Sequence, residues 1–199
     1  AKLLQRTLPE HVSIVLELNR DEDYTVRADV TQMQQAITNL AINARDAMPE
    51  GGTLAFTLSR LLLRSGEEPP LAWMPPGHWV GLAVSDTGMG IPEEVMPHLF
   101  EPFFTTKGPN QGTGLGLAQV YGIVKQHNGF IGVQSQPGEG TVVTMYLPAQ
   151  VTPQPGTPSP EGQPQDLPRG SHETTILVVE DEEAVRQISA RTLESLGYN

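Results

Sequence analysis

The sequence contains no cysteine, which excludes a disulfide scaffold and a zinc site with cysteine ligands. Basic residues are also scarce: 12 Lys and Arg face 23 Asp and Glu, and the formal net charge is −11. A chain this acidic lacks the basic face that nucleic acids and anionic membranes require, so we expect neither partner. No aliphatic run approaches the about 20 residues of a membrane-spanning helix, and the amino terminus has no signal-peptide pattern. We therefore expect a soluble segment without direct membrane contact.

Proline is distributed unevenly along the chain. Six of the 18 prolines lie between residues 150 and 170, in a stretch with almost no large apolar side chain. Such a segment buries too little surface to fold, so we predict a linker over residues 150–172. The linker divides the chain into a main domain at residues 10–149 and a short tail at residues 173–199.

Hydrophobic periodicity predicts strands and helices in the main domain. The predicted strands are 12–18, 24–28, 53–63, 79–85, 130–135 and 141–147, and the predicted helices are 30–48 and 115–127. Proline-rich residues 64–77 form a loop within a hairpin. On the second helix, Tyr121 shares an apolar face with Leu117 and Val124 and is expected in the core. This order predicts an α/β (α+β) two-layer sandwich, with helices on one face of a mixed, largely antiparallel sheet.

The first predicted helix carries an apolar and a polar stripe. Asp29 is its expected N-cap, and Gln32, three residues later, completes a capping box. Apolar residues at three- and four-residue spacing define the buried stripe: Val30, Met33, Ile37, Leu40, Ala44 and Ala47. The polar stripe consists of Gln35, Asn39 and Asn43. A neutral amide oxygen in this stripe can complete a Mg²⁺ sphere that phosphate oxygens and water already fill.

Two glycine-containing segments indicate a nucleotide site. Asp86–Pro92 follows a predicted strand, and the carboxylate of Asp86 can accept a hydrogen bond from an exocyclic amine such as that of adenine. Gly112–Leu117 places three glycines before a helix, where backbone N–H groups and the positive end of the helix dipole suit a phosphate. This segment is not a Walker loop, because no Gly-Lys-[Ser/Thr] follows, nor a Rossmann turn, because a long loop precedes it.

In their order along the chain, these segments resemble the catalytic, ATP-binding domain of a sensor histidine kinase of the GHKL ATPase superfamily. Gln35–Met48 resembles the N box, Asp86–Pro92 the G1 box, Leu99–Lys107 the F box and Gly112–Leu117 the G2 box. The resemblance covers roughly residues 10–148. It implies a fold of the GHKL ATPase type and the cofactors ATP and Mg²⁺.

The resemblance also implies residue roles. Asn43 is expected to bind Mg²⁺, Asp86 the adenine amine, and Lys107 with the G2 amides the phosphates. Many relatives carry Lys or Arg three residues after the metal-binding Asn, to touch the γ-phosphate; here that position is Asp46, and Arg45 is the candidate substitute. The expected catalytic residues are Asn43, Lys107 and Arg45. The expected cofactor-binding residues are Asn39, Asn43, Asp46, Asp86, Gly88, Gly90, Ile91, Phe100, Phe104, Thr105, Thr106, Lys107, Gly112, Thr113, Gly114, Leu115, Gly116 and Leu117.

The phosphoacceptor of such kinases is a histidine in a His-[Asp/Glu]-x-x-[Asn/Thr]-Pro segment, and none of the five histidines fits this pattern. Residues 1–9 are therefore interpreted as the end of a dimerisation-domain helix. Residues 175–183 resemble the start of a response-regulator receiver domain, with Glu180 and Asp181 as its acidic pair. The resemblance thus implies a fragment of a hybrid kinase, with its own dimerisation domain and a receiver domain or response regulator as partners. We expect the fragment to be cytoplasmic, whether or not the parent protein is membrane-anchored, and monomeric.

The implied function is transfer of the γ-phosphate of ATP to a histidine of that separate domain, in a two-component phosphorelay. The fragment alone is expected to be inactive. One alternative is a GHKL-type hydrolase, which places a Glu general base four residues before the metal-binding Asn; here that residue is Asn39, which cannot take a proton from water. The other is a regulatory module that binds nucleotide without phosphotransfer.

Overall fold

The computed structural model describes residues 9, 11–108 and 112–150, and residues 187, 190, 191, 193, 194, 197 and 198 of the tail. The elements are β1 (Val12–Glu17), α1 (Val30–Ala47), β2 (Gly52–Leu63), β3 (Gly77–Asp86), a 3₁₀ helix (Glu93–His98), α2 (Gly116–Gln126), β4 (Phe130–Gln136) and β5 (Gly140–Pro148). The predicted linker from residue 151, the receiver-like strand with Glu180 and Asp181, and residues 1–8 lie outside the described residues.

The five strands form one sheet in the order β1-β2-β3-β5-β4. β1 runs parallel to β2, and every other neighbouring pair is antiparallel. A parallel pair cannot be joined by a tight turn, so the chain crosses from β1 to β2 through α1. This topology confirms the predicted mixed, largely antiparallel sheet.

Both helices pack on one face of the sheet. Leu40 and Ala44 of α1 and Val120 and Val124 of α2 are buried against strand residues such as Leu54. Burial of one such aliphatic side chain contributes about 1.5–3 kcal/mol, so this layer is the main source of stability. The predicted two-layer arrangement is confirmed.

The opposite face of the sheet carries a second apolar cluster. Leu63, Met74 and Trp79 are buried there, and the ring of Trp79 meets the edge of Phe130 at a centroid distance of 5.4 Å. Met74 belongs to the loop between β2 and β3, and the indole N–H of Trp79 donates to the carbonyl of Pro75 in the same loop. The loop therefore covers part of the face that the helices leave open.

Four sequence expectations need correction. The predicted strand at 24–28 is reduced to one isolated bridge, between Val26 and Ala149, because the chain there is crossing towards α1. Val30, the first residue of α1, is 70% exposed, and Tyr121 is 40% exposed rather than in the core. The capping box is half formed: Asp29 accepts from the Gln32 N–H, but the Asp29 N–H donates to Nε2 of His127.

The chain divides into two units, residues 1–151 and residues 152–199. In the second unit, the described positions 187, 190, 191, 193 and 194 are helical. The Gly197 and Tyr198 N–H groups donate to the Glu194 and Leu193 carbonyls, which ends that helix. Within the described part of the chain, no helix has both the length and the apolar character needed to cross a membrane.

Candidate functional site

The polar stripe of α1 faces the beginning of α2. The Asn39 Nδ2 donates to Gln119 Oε1 at 3.0 Å and to the Gly116 carbonyl at 3.4 Å. Gln35 Nε2 donates to the same Gln119 oxygen at 3.4 Å. These bonds commit the amide hydrogens of Asn39 to α2 and fix the two helices against each other at this point.

Asn43 lies one turn further along α1, beside a glycine of α2. A Cβ added at Gly116 would lie 3.7 Å from Asn43 Nδ2 and 3.9 Å from its Oδ1, so the glycine leaves space in front of this carboxamide. Among the described residues, no group of three or more His, Cys, Asp or Glu side chains is placed to hold a metal ion. A Mg²⁺ ion at Asn43 would therefore take most of its ligands from phosphate oxygens and water, which suits a single neutral amide oxygen from the protein.

Asp86 lies at the end of β3, and only 9% of its surface is exposed. Its Oδ1 accepts the Gly88 N–H at 2.9 Å. Burial raises the pKa of this carboxyl above its ordinary value, and the backbone N–H groups of Gly88 and Thr141 offset part of that rise. The result is a buried acceptor held in one orientation, as recognition of an amine requires.

The loop after Asp86 runs between the end of α1 and the turn that joins β4 to β5. The Met89 N–H donates to the Ala47 carbonyl at 3.0 Å, and the Met89 carbonyl accepts from Gly138 at 2.8 Å. Gly90 has a φ of +69°, and a Cβ there would lie 2.0 Å from the Gln136 carbonyl oxygen. Only glycine fits this position, so the glycine pattern reflects close packing of backbone on backbone.

A backbone hydrogen bond joins two residues of the segment between the 3₁₀ helix and α2. The Phe103 N–H donates to the Gly114 carbonyl at 2.9 Å, and Gly114 adopts a φ of +65°. Two aromatic contacts anchor the same region: Phe100 stacks on Tyr121 at 5.2 Å, and Phe104 lies 5.4 Å from His98. The rings of Phe100 and Phe104 therefore contact other aromatic side chains.

Three charged side chains meet beside the last turn of α1. Lys107 Nζ lies 2.5 Å from Asp46 Oδ2, and Arg45 donates Nη2 and Nε to Asp46 Oδ1 at 2.7 and 2.9 Å. Partial burial raises the pKa of Asp46, but the hydrogen bonds from Lys107 and Arg45 outweigh it and lower that pKa. The cluster thus keeps one positive charge in excess and holds the Lys107 ammonium at Asp46, three residues after Asn43 on α1.

The glycine-rich segment leads into α2. A Cβ at Gly112 would lie 2.9 Å from Thr105 Oγ1, and Thr105 Oγ1 in turn accepts the Lys107 N–H at 3.2 Å. The Thr113 hydroxyl accepts the Leu115 N–H at 3.4 Å, whereas Leu115, the N-cap residue, offers no side-chain cap. The first backbone N–H groups of an α-helix have no partner within the helix, and such groups can bind an anion.

The predicted site residues occupy one end of the sheet, where β3 ends and α2 begins. Thr106 is exposed beside them, Leu117 packs against the core, and Ile91 donates its N–H to Ser135 at 2.8 Å. Gln119 and Ser135 were missed, since each acts through partners far away in the sequence. A cavity of 710 Å³ lies at the other end of β3, beside Asp29, His127 and Pro148, and none of the predicted site residues lines it.

Comparisons with known proteins find similar sequences and solved structures among sensor histidine kinases. Sensor kinase CckA of Brucella abortus is 40% identical over 200 residues, which cover 98% of this chain and 21% of that protein. The solved structure of the mycobacterial sensor histidine kinase MprB is similar with a TM-score of 0.58 and 26% identity, covering 76% of this chain and 90% of that one. The catalytic domain of histidine kinase ThkA has a TM-score of 0.55 and 30% identity, covering 74% and 84%.

The chain spans about a fifth of the length of CckA. Residues 28–151 match the family described as histidine kinase-, DNA gyrase B- and HSP90-like ATPase. This range contains α1, the Asp86 loop, the charged cluster and the glycine-rich start of α2. The chain therefore belongs to the histidine kinase-, DNA gyrase B- and HSP90-like ATPase family, as the resemblance of its four boxes implied.

Proposed function

We propose that this domain binds Mg-ATP and presents the γ-phosphate to a histidine of a separate dimerisation domain, in a two-component phosphorelay. The observation that best supports the proposal is the convergence of Asn43, Asp86 and Lys107 beside the start of α2. A buried acceptor, an amide oxygen with space in front of it, and a cationic side chain are the groups that adenine, a phosphate-bound metal and phosphate would need. The similarity to histidine kinase catalytic domains favours the same substrate.

The adenine would be held at Asp86. Its carboxylate accepts from the exocyclic amine, while Gly88, Gly90 and Ile91 form the loop beneath the base. A guanine presents a carbonyl at the corresponding position, so two acceptors would face each other. This site should therefore prefer ATP to GTP.

The phosphates would lie between α1 and the start of α2. Lys107, Arg45 and the backbone N–H groups of Gly112–Leu117 supply positive charge and donors, and Asn43 would hold Mg²⁺ through its amide oxygen. When bound, Mg²⁺ neutralises phosphate charge. Catalysis by these residues is then mainly positioning and charge neutralisation, because the acceptor imidazole is itself the nucleophile.

Hydrolysis of ATP by this domain is disfavoured by the state of Asn39. This residue stands where a hydrolase of the family would carry a general base, and a carboxamide cannot take a proton from water. Its Nδ2 is bonded to Gln119 and to the Gly116 carbonyl, so it serves to join α1 to α2.

The rest of the chain would connect this domain to its partners. We propose that residues 1–9 end the dimerisation helix, that 150–172 form a linker and that 173–199 begin a receiver domain. The parent protein would then be a hybrid kinase with a cytoplasmic catalytic domain. A monomeric fragment without the acceptor histidine should not phosphorylate itself.

The test is phosphotransfer in trans. The chain is mixed with the parent protein's purified dimerisation domain and ATP labelled at the γ-phosphate, and label on the histidine is measured. Transfer that is lost in Asn43→Ala and kept in Ser59→Ala, an exposed strand serine, would support the kinase. Binding of nucleotide without transfer would contradict it and favour the regulatory module, and release of free phosphate would favour the hydrolase.

A further inference from the structure

We infer that Ser135 is a positioning residue for the adenine-binding loop, an inference that rests on the proposed function of Asp86. Ser135 lies on β4, one ladder position from the turn, and its register partner on β5 is Thr141. Thr141 is in turn the register partner of Asp86 on β3. The serine therefore stands two strands away from the carboxylate, on the helix-covered side of the sheet where Val133 and Ile131 pack.

The Ser135 hydroxyl uses its full hydrogen-bonding capacity. It accepts the Ile91 N–H at 2.8 Å, donates to the Gly140 carbonyl at 2.9 Å and lies 2.9 Å from Thr141 Oγ1. A hydroxyl has one donor and two acceptor sites, so with its proton on Gly140 the Thr141 hydroxyl must be the donor to Ser135. One oxygen thus joins the loop after Asp86 to both strands of the β4–β5 hairpin.

The loop also packs closely on the hairpin between Met89 and Ile91, since a Cβ at Gly90 would lie 2.0 Å from the Gln136 carbonyl oxygen. Its second bond to the hairpin is from the Gly138 N–H to the Met89 carbonyl, at 2.8 Å. Met89 itself is 61% exposed and gives the loop little apolar anchorage. With Ser135 removed, the Ile91 end of the loop would lose its hydrogen bond to the hairpin, while the bond at the Gly138 end would remain.

Position matters here because Asp86 recognises the base from a fixed direction. Its Oδ1 is held by the Gly88 N–H, and Gly88 belongs to the same loop that Ser135 tethers. Loss of the tether should therefore widen the range of carboxylate and loop positions. This would weaken recognition of adenine more than general phosphate binding, which depends on Lys107 and α2.

The experiment compares Ser135→Ala with Ser135→Thr, which keeps a hydroxyl, and with the control Ser59→Ala. Calorimetry gives ATP and GTP affinities, and amide hydrogen exchange in the nucleotide-free chain reports on the Ile91 N–H. Nucleotide binding would then have to restrain the released loop, at a cost similar to one net hydrogen bond. This predicts about a three- to ten-fold weaker ATP affinity for Ser135→Ala. We also expect a smaller ATP-to-GTP ratio and faster Ile91 exchange, with recovery in Ser135→Thr and no change in Ser59→Ala.

The possible failures are distinguishable. A wild-type chain that binds no nucleotide would refute the proposed function. Wild-type ATP affinity and selectivity in Ser135→Ala would refute the positioning role even though the domain binds ATP. An unchanged exchange rate for Ile91 would refute the tether itself, whatever the binding results. A general loss of stability would lower ATP and GTP affinity in equal proportion, so an unchanged ratio also counts against the inference.

Discussion

Replacement of Asp86 by Asn separates two effects of the buried carboxylate: its cost to folding and its proposed hydrogen bond to adenine. Asn has nearly the same shape as Asp and keeps an oxygen that can accept the Gly88 N–H. In the wild type, the Gly88 nitrogen lies 2.9 Å from Asp86 Oδ1. Its amide nitrogen, however, is a donor, and it would face the donating amine of adenine. The substitution should therefore leave the loop in place and remove the base contact.

The magnitude follows from the charge of the acceptor. A hydrogen bond to a charged group contributes about 1.5–3 kcal/mol, which corresponds to about a 10- to 150-fold loss of ATP affinity. The free energy of unfolding should not fall with the same substitution. Burial raises the pKa of Asp86, so the folded state binds its proton more tightly than the unfolded state does, and ionisation opposes folding. The free energy of unfolding of the wild type should therefore fall as the pH rises from the ordinary pKa of 3.8 through the raised pKa of the folded state, because the buried carboxyl ionises over that range.

Calorimetry with ATP and thermal unfolding of the same two proteins test both halves. We expect Asp86→Asn to bind ATP weakly and to unfold at pH 7 at a temperature no lower than that of the wild type. Wild-type affinity in the variant would refute adenine recognition by Asp86. A clear fall in melting temperature would refute the claim that the buried charge is a cost to folding.

Four further predictions follow from other parts of the fold. Gly90→Ala should lower the free energy of unfolding by about 1–3 kcal/mol, measured by denaturant titration, because its φ is +69°. Asn43→Ala should abolish the Mg²⁺-dependent part of ATP affinity and leave Mg²⁺-free binding unchanged, by calorimetry. Asp46→Asn should lower the free energy of unfolding at pH 7 by at most about 1 kcal/mol, measured by denaturant titration. The difference between variant and wild type should vanish as the pH falls below 3.8 and through the lowered pKa of Asp46, because the protonated carboxyl no longer pairs with Lys107. Leu54→Ala, at a fully buried position, should cost about 2–5 kcal/mol in the same denaturant assay.

Local patterns predict much of the fold. The bounds of α1 follow from the Asp29 cap and the Pro49 stop, and the observed helix is Val30–Ala47. The β2–β3 hairpin follows from two alternating runs separated by a proline-rich loop. These features could be predicted because the signals, periodicity and turn residues, lie within the element that they determine.

Contacts between distant segments could not be predicted in the same way. Asn39 and Gln119 are 80 residues apart, and Ile91 and Ser135 are 44 apart, so nothing near either residue indicates its partner. Val30 fits the apolar period of α1 but is 70% exposed. Periodicity gives the direction of a side chain, whereas burial depends on what the rest of the chain places there.

The pairing of Lys107 with Asp46 is a second case of this kind. The sequence gives no reason to join these residues, since one lies on α1 and the other lies beyond the 3₁₀ helix. The pairing explains how an acidic residue is accommodated at this position, because Lys107 and Arg45 both compensate its charge. We propose that the positive charge that remains binds phosphate.

We propose that this domain holds ATP through an adenine acceptor and a metal-binding amide. The most direct test of this proposal is a calorimetric titration of the chain with ATP, ADP and GTP, each with and without Mg²⁺. We predict that ATP binds more tightly than GTP under both conditions and that Mg²⁺ strengthens ATP binding. Equal affinities for ATP and GTP, or no binding of any of the three, would contradict adenine recognition by this domain.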